Sequence, residues 1–502
     1  MRNIIIMALL LLMAGACDRV HTGSASEAGG CGLQMSHLYT DGMVLQRDVR
    51  LVIKGEAAAG EKVTVRLEGP FRTVTRRARA SAEGVWEVKM PSLKAATGLT
   101  LTISGRDKAY VYDDVAAGDI WVCSGQSNMF FRVFEGTDIG DTPADPDLRL
   151  FNMRPRGYVN NERWTDEQIA SVQALDFYHP TSWQACDGQN MADFSAVGYH
   201  FGKMLRDSLD VPIGLICNAI GGSPTEAWVG RSFLEEGYPE ILEEWFGNEL
   251  LNQWCREMGM INIGYPETGA TRHPFEPCYL FESAIAPMGG FPVKGVIWYQ
   301  GESNDYDIPM HERLLGLLVD SWRDNWDNPE LPFHFVQLSS LYRDTWPAFR
   351  DSQRRLADAI PHCEMAVSSD LGDSLDVHPR QKRPVGERLA RLALHHDYGM
   401  DLVPCGPVLK EAVWNGEQTV LSFEHADGLK TADAQALRCF EVASEDEVYV
   451  PAEAVISDGK VILTSEIRSP WYVRYAWQPY TRANLVNGDG LPASTFCAPV
   501  SR

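Results

Sequence analysis

None of the chain's 11 cysteines stands in a Cys-x-x-Cys pair, so a zinc knuckle is not indicated. No Asp/His cluster has metal-ligand spacing either, and the sequence calls for no metal and no cofactor. Beyond residue 16 no run is apolar for long enough to cross a bilayer, and there are no internal repeats. Positive charge is scarce: 45 Lys and Arg face 68 Asp and Glu, for a net charge of −23. That excess is spread along the chain, so the surface repels phosphate backbones and nucleic acid is set aside as a partner. An anionic substrate would need its own local arginine or lysine. The 502 residues have the composition of a soluble globular protein and length for about two to four domains.

Residues 1–30 read as a signal and tether. A short basic start, Met1-Arg2-Asn3, precedes an apolar run over 4–16 that suits a secretory signal. It ends in Met13-Ala14-Gly15-Ala16-Cys17, similar to a bacterial lipoprotein signal with Cys17 as the lipidated residue, although Ala14 stands where leucine is usual. The alternative is ordinary signal cleavage nearby. Either way the chain is expected to be exported, periplasmic or anchored through Cys17 to the outer membrane of a bacterium. Export permits disulfides, but Cys123 and Cys217 lie in apolar runs and read as buried thiols.

Residues 31–114 alternate in short runs separated by turns, the pattern of a β domain. Over 115–400 strand-like and helical patterns alternate, the α/β signature. Strands are expected at 120–123, 212–218, 293–299, 333–338 and 364–368, with helices at 196–208, 350–359 and 383–398. Residues 401–502 return to β alternation as a C-terminal β domain. Stretches 130–191 and 245–277 read as long and irregular. Their Trp164, Trp183, Trp245 and Trp254 either stack on sugar rings or cover the sheet, with core packing the expectation.

Four loops after strands carry candidate chemistry. Gly125-Gln126-Ser127-Asn128 presents a hydroxyl at a strand end, although taken alone such a serine is more often a helix cap. The pair Gly221-Gly222 lets backbone N–H groups face a ligand. In Gln300-Gly301-Glu302-Ser303-Asn304, the Asn304 amide is a donor for a developing oxyanion and Glu302 can hold a neighbouring side chain. In Asp376-Val377-His378-Pro379, His378 is a general-base candidate kept off a helix by Pro379.

Ser127, Gly222, Asn304 and His378, one per loop, resemble the set of the SGNH hydrolases. The wording around them is similar to the sialate O-acetylesterase family: Trp121-Val122-Cys123-Ser124-Gly125-Gln126-Ser127-Asn128-Met129, Trp298-Tyr299-Gln300-Gly301-Glu302-Ser303-Asn304 and Asp376-Val377-His378-Pro379. Asp41-Gly42-Met43-Val44-Leu45-Gln46-Arg47 and Phe194-Ser195-Ala196-Val197-Gly198-Tyr199 extend the likeness, which covers about 38–398. The resemblance implies a flavodoxin-like, three-layer α/β/α SGNH domain flanked by β-sandwich-like segments. It also implies Ser127 as nucleophile, His378 as base, Asp376 behind it, and an oxyanion hole of Ser127, Gly222 and Asn304, with Gly221, Gln126, Glu302 and Asp373 in support. The wider superfamily's acid stands three residues before the histidine, where this chain has Leu375. The third member therefore stays open between Asp376, Asp373 and Glu302.

The activity so implied is removal of O-acetyl groups from carbohydrate, 9-O-acetylated sialic acid first, with acetylated xylan or xyloglucan as the alternative. Arg132 and Arg154 are the candidates for a sialic acid carboxylate. A non-catalytic carbohydrate-binding lipoprotein is the reading from another class, and the sequence leaves oligomeric state open.

Overall fold

The computed structural model describes residues 32–70, 72–138 and 143–502; the expected signal, the tether and Cys17 lie outside them. Its longest strand, β1 (Ala109–Gly125), runs through the expected domain boundary at 114/115. The first half pairs antiparallel with the strand Ala96–Ser104 of the N-terminal β region. Asp114, at φ +55, kinks the chain there. From Val115 onward every residue of β1 is buried, because this half lies mid-sheet with a core on each face. Ile120 and Val122 face one core, Trp121 and Cys123 the other.

The sheet continues with β2 (Asp145–Asn152), β3 (Gln184–Cys186), β4 (Ile213–Ala219), β5 (Gly295–Tyr299), β6 (Phe333–Val336) and β7 (Met365–Ala366), in the order β7-β6-β5-β1-β4-β2-β3. All neighbours are parallel except the edge pair β2–β3. Without that added edge pair, β1, β4, β5, β6 and β7 follow the 2-1-3-4-5 order of flavodoxin-like sheets. Helices α1 (Ala196–Leu209) and α4 (Arg383–His396) cover the Trp121 face, whereas α2 (Ile308–Asn325) covers the Val122 face through Leu314, Leu318 and Trp322. Helix α3 (Trp346–Ala359) sits behind β6 and β7. The Ser195 hydroxyl caps α1 by accepting the Gly198 N–H at 3.0 Å, a contact worth about 1 kcal/mol.

Expected strands and helices of this region have observed counterparts, with ends moved by a few residues except for the strand expected at 120–123, which begins eleven residues earlier as part of β1. The two stretches read as irregular do contain elements: β2 and the helix Asp166–Gln173 in the first, the helix Gln253–Ile263 in the second. Helix α2 was not anticipated. Its start is signalled by Asp307, whose carboxylate accepts the Met310 N–H at 2.9 Å, and by a proline in the first turn.

Gln46 and Arg47 tie the N-terminal β region to the sheet. Both donate to the Asp119 carboxylate, at 2.9 Å from Gln46 Nε2 and 2.8 Å from Arg47 Nη2, while Gln46 Oε1 accepts the Ile120 N–H at 2.9 Å. At the other end, two four-stranded antiparallel sheets enclose a separate core that includes Leu421, Phe440, Val461 and Phe496. The nine described cysteines are free thiols, and Cys123 and Cys217 are buried as expected.

Candidate active site

The carboxyl ends of β1, β4 and β5 lie side by side, with Gly125 in register with both Ala219 and Tyr299. The loops that follow them therefore open at one edge, where open α/β sheets place their sites. Gly125 makes the turn out of β1 at φ +132, and a Cβ there would meet the Tyr299 carbonyl oxygen at 2.2 Å. Gln126 then locks the turn: its N–H donates to Tyr299 O at 2.9 Å and its Oε1 accepts the Gly301 N–H at 3.3 Å. Ser127 follows as the first residue of a single helical turn, Ser127–Phe130.

Four loops of the sheet meet at Ser127. His378, on the loop beyond β7, brings Nε2 to 2.9 Å from Ser127 Oγ. Its Nδ1 faces Asp376 Oδ1 at 3.3 Å, and the same oxygen accepts the His378 backbone N–H at 2.9 Å. Of the three acids left open by the sequence, only Asp376 reaches the imidazole. Asp373 instead accepts the N–H groups of Leu375 and Asp376, shaping the loop. Glu302 accepts from Asn128 Nδ2 at 2.5 Å, holding a neighbouring side chain. Burial lowers the His378 pKa below the usual imidazole value; the Lys382 cation adds to this and Asp376 opposes it. A neutral imidazole bonded to a hydroxyl, with a carboxylate behind it, is a nucleophile–base arrangement.

Gly221 lies beside Ser127, a Cβ built there falling 3.8 Å from Ser127 Cβ. Gly222, at φ +75, packs under the Trp254 ring and accepts the Ser303 hydroxyl on its carbonyl at 2.9 Å. Among the described residues, the N–H groups of Ser127, Gly221 and Gly222 have no acceptor. The Asn304 side chain is buried and oriented: Oδ1 accepts the Thr225 N–H at 2.9 Å and Gln300 Nε2 at 2.7 Å, while Nδ2 donates to Glu226 Oε2 at 3.0 Å. Its second amide hydrogen has no acceptor among the described residues. Burial pushes the Glu226 carboxyl up to about 7.

Sequence reasoning missed Thr225, Glu226, Asn128 and Lys382. The one available signal was an acid inside the apolar run Thr225-Glu226-Ala227-Trp228. Of the four loop tryptophans, Trp164, Trp183 and Trp245 are buried as expected, while Trp254 is 46% exposed beside Gly222. Arg132 and Arg154 are engaged with Glu135 and Asp193. A recess of about 650 Å³ between α1 and α4 is lined by Lys203, Arg383 and Arg391, each paired to an acid, and contains no residue of this site.

Residues 242–395 match the family model described as a carbohydrate esterase, sialic acid-specific acetylesterase. A sialate O-acetylesterase of Mus musculus is 27% identical over 95% of this chain and 96% of its own length. One of Homo sapiens is 29% identical over 73% of this chain and 71% of its own. The crystal structure of a carbohydrate acetylesterase from Xanthomonas citri is 30% identical and superposes with a TM-score of 0.77, covering 93% of this chain and 99% of that one. With that identity extending over nearly the full length of both chains, this chain belongs to the sialate O-acetylesterase family of carbohydrate esterases and is a carboxylic ester hydrolase.

Proposed function

We propose that this chain is an exported SGNH-type esterase that hydrolyses O-acetyl esters of sugars, with 9-O-acetylated sialic acid as the leading substrate. The contact that carries the reading is the 2.9 Å approach of His378 Nε2 to Ser127 Oγ. Ser127 Oγ attacks the acetyl carbonyl while His378 accepts its proton. Asp376 holds the imidazole and balances the imidazolium that forms. The oxyanion is received by the N–H groups of Ser127 and Gly222 (or Gly221) and by the Asn304 amide. Collapse breaks the ester bond, and His378 returns the proton to the leaving sugar oxygen. Water, activated by the same imidazole, then releases acetate and restores Ser127. Loss of one such oxyanion donor costs roughly 10²–10³-fold in rate.

The sialate assignment rests on the activity named for the mouse and human relatives. Acetylated xylan or xyloglucan is the second reading. It is favoured by Arg132 and Arg154, both engaged with carboxylates, and by Trp254, an open aromatic face suited to a neutral sugar ring. Export, with lipid on Cys17, rests on the pattern of residues 1–30. Acetate release from O-acetylated sialosides, xylan and xyloglucan oligosaccharides tests the function, with Ser127→Ala as control. Fastest release from sialosides supports the first substrate and fastest release from xylan the second. Equal release by Ser127→Ala and the unaltered protein would remove the esterase reading.

A further inference from the structure

The mechanism above makes no use of a buried cation close to Ser127, Lys382. Lys382 is 0% exposed, yet among the described residues it makes no direct contact with a carboxylate. Its ammonium donates to Asn128 Oδ1 and lies 4.8 Å from the Phe131 ring centre and 5.3 Å from that of Tyr299. Asn128 in turn donates both Nδ2 hydrogens, to Glu302 Oε1 at 2.5 Å and to Val377 O at 3.0 Å. This one carboxamide, directly after Ser127, thus binds two points that flank His378 in sequence: Val377 just before it and Lys382 four residues after it.

We propose that Lys382, acting through Asn128, is a positioning residue that fixes the distance between Ser127 Oγ and His378 Nε2. The Ser127 turn follows the central strand β1 and the His378 loop follows the edge strand β7, and these two strands share no ladder bonds. Besides the reacting pair, the Asn128 node joins them directly at Ser127; about ten residues on, the Thr137 N–H donates to Arg380 O at 3.2 Å and Asp138 Oδ2 accepts the Arg383 N–H at 2.8 Å. The node is costly, since a buried ammonium and the buried Glu302 are taken from water without facing each other directly, and Glu302 Oε2 has no partner among the described residues. Stability alone would favour apolar groups there, so its retention fits a geometric duty.

The charged groups around Lys382 are Glu302, Asp376, Asp138 and Glu135, which favour its cation, and His378, whose protonation the cation opposes. Burial outweighs the four acids and pulls the ammonium down to about 7, while it pushes Glu302 up.

The proposal rests on the esterase reading and is tested with Lys382→Met and Asn128→Ala on the full chain, scored on the best substrate of the acetate-release panel. A reacting pair displaced by about 1 Å loses roughly 100-fold in turnover, so kcat should fall by about that factor with KM changed less than about twofold. Removing the cation should also move the acid limb of kcat/KM to higher pH, because His378 is no longer held down by it. The double variant should lose no more than the worse single one, since both break the same clamp. Folded Lys382→Met with unaltered kcat, an unmoved acid limb, or losses that multiply in the double variant would each overturn the clamp. Should Lys382→Met fail to fold, Asn128→Ala carries the kcat test by itself, and full turnover there overturns it. A Ser127→Ala protein that still releases acetate removes the esterase reading instead. Activity lost in Ser127→Ala but kept in Lys382→Met removes the clamp alone.

Discussion

His378 is pulled in two directions by its neighbours, and the balance sets when it can act as a base. Burial and Lys382 lower its pKa, and Asp376 raises it. The imidazole is reactive when neutral, so the acid limb of kcat/KM should lie below about pH 6.5, the ordinary histidine value. In Asp376→Asn the raising influence is gone. The limb should then move to still lower pH, opposite to Lys382→Met, and kcat should fall by roughly 10²–10⁴ as the imidazole loses its orienting partner. Asp373→Asn should stay within about tenfold of full turnover, because an asparagine oxygen can still accept the two loop N–H groups. Near-normal turnover in Asp376→Asn, read from the same pH–rate profiles, would remove it as the orienting acid. Such a choice between Asp373, Asp376 and Glu302 was beyond the sequence, since all three lie within reach of a loop histidine until the loops are folded.

The decisive element is β1 with the turn that ends it. Gly125 permits a backbone path at φ +132 that passes within van der Waals distance of Tyr299, and Gln126 then bonds back to that strand. Gly125→Ala would press a Cβ against the Tyr299 carbonyl and force a conformation that alanine resists. A loss of at least about 2 kcal/mol is expected, read as a lower urea midpoint. Turnover should fall with it, because Ser127 is two residues on. An unaltered midpoint and kcat would mean that the turn tolerates a side chain. The core strands were legible because each is an apolar run that ends in glycine or a polar group. Helix α2 and the strand β2 were less so: α2 lies among mixed charges, and β2 sits in a stretch rich in proline and aspartate that hides its buried half, Leu148–Phe151.

Across the whole molecule the C-terminal β unit is docked on the esterase layers by several polar contacts, among them Arg391 with Asp489 and the Cys497 N–H on Asp351 Oδ1, and one buried arginine supplies three more. The fully buried Arg350 of α3 donates to the carbonyls of Ala476 at 2.9 Å, Gln478 at 2.7 Å and Pro479 at 3.1 Å. Arg350→Met would remove its donor from all three carbonyls, leaving Gln478 O with none among the described residues while Ala476 O keeps the Thr495 hydroxyl and Pro479 O the Leu341 N–H, at a cost of about 1–3 kcal/mol. Limited proteolysis should then cut first within residues 401–502, and thermal unfolding should begin earlier than in the unaltered protein. Unchanged protease resistance would show that the remaining contacts hold the unit without Arg350. The N-terminal β region is joined differently, by β1 itself and by Gln46 and Arg47 on Asp119. The Asp41-to-Arg47 motif, seen in sequence only as a likeness, thus has a structural duty: it anchors the strand that leads into Ser127.

The order of chemical parts was set by the linear chain. Ser127, Gly222, Asn304 and His378 each follow an apolar strand, and an apolar strand ending in a flexible residue is recognisable without coordinates. Tertiary structure decided what depends on distance between loops far apart in sequence. It put Asp376 behind the histidine, brought Gly221 beside the serine, gave Asn304 the buried partners Thr225, Gln300 and Glu226, and left Trp254 the exposed one of the four loop tryptophans. It also joined Lys382 to Asn128 across some 250 residues. No local pattern encodes such a contact, because a buried lysine and an ordinary surface lysine at a helix start read alike until the sheet brings their neighbours together.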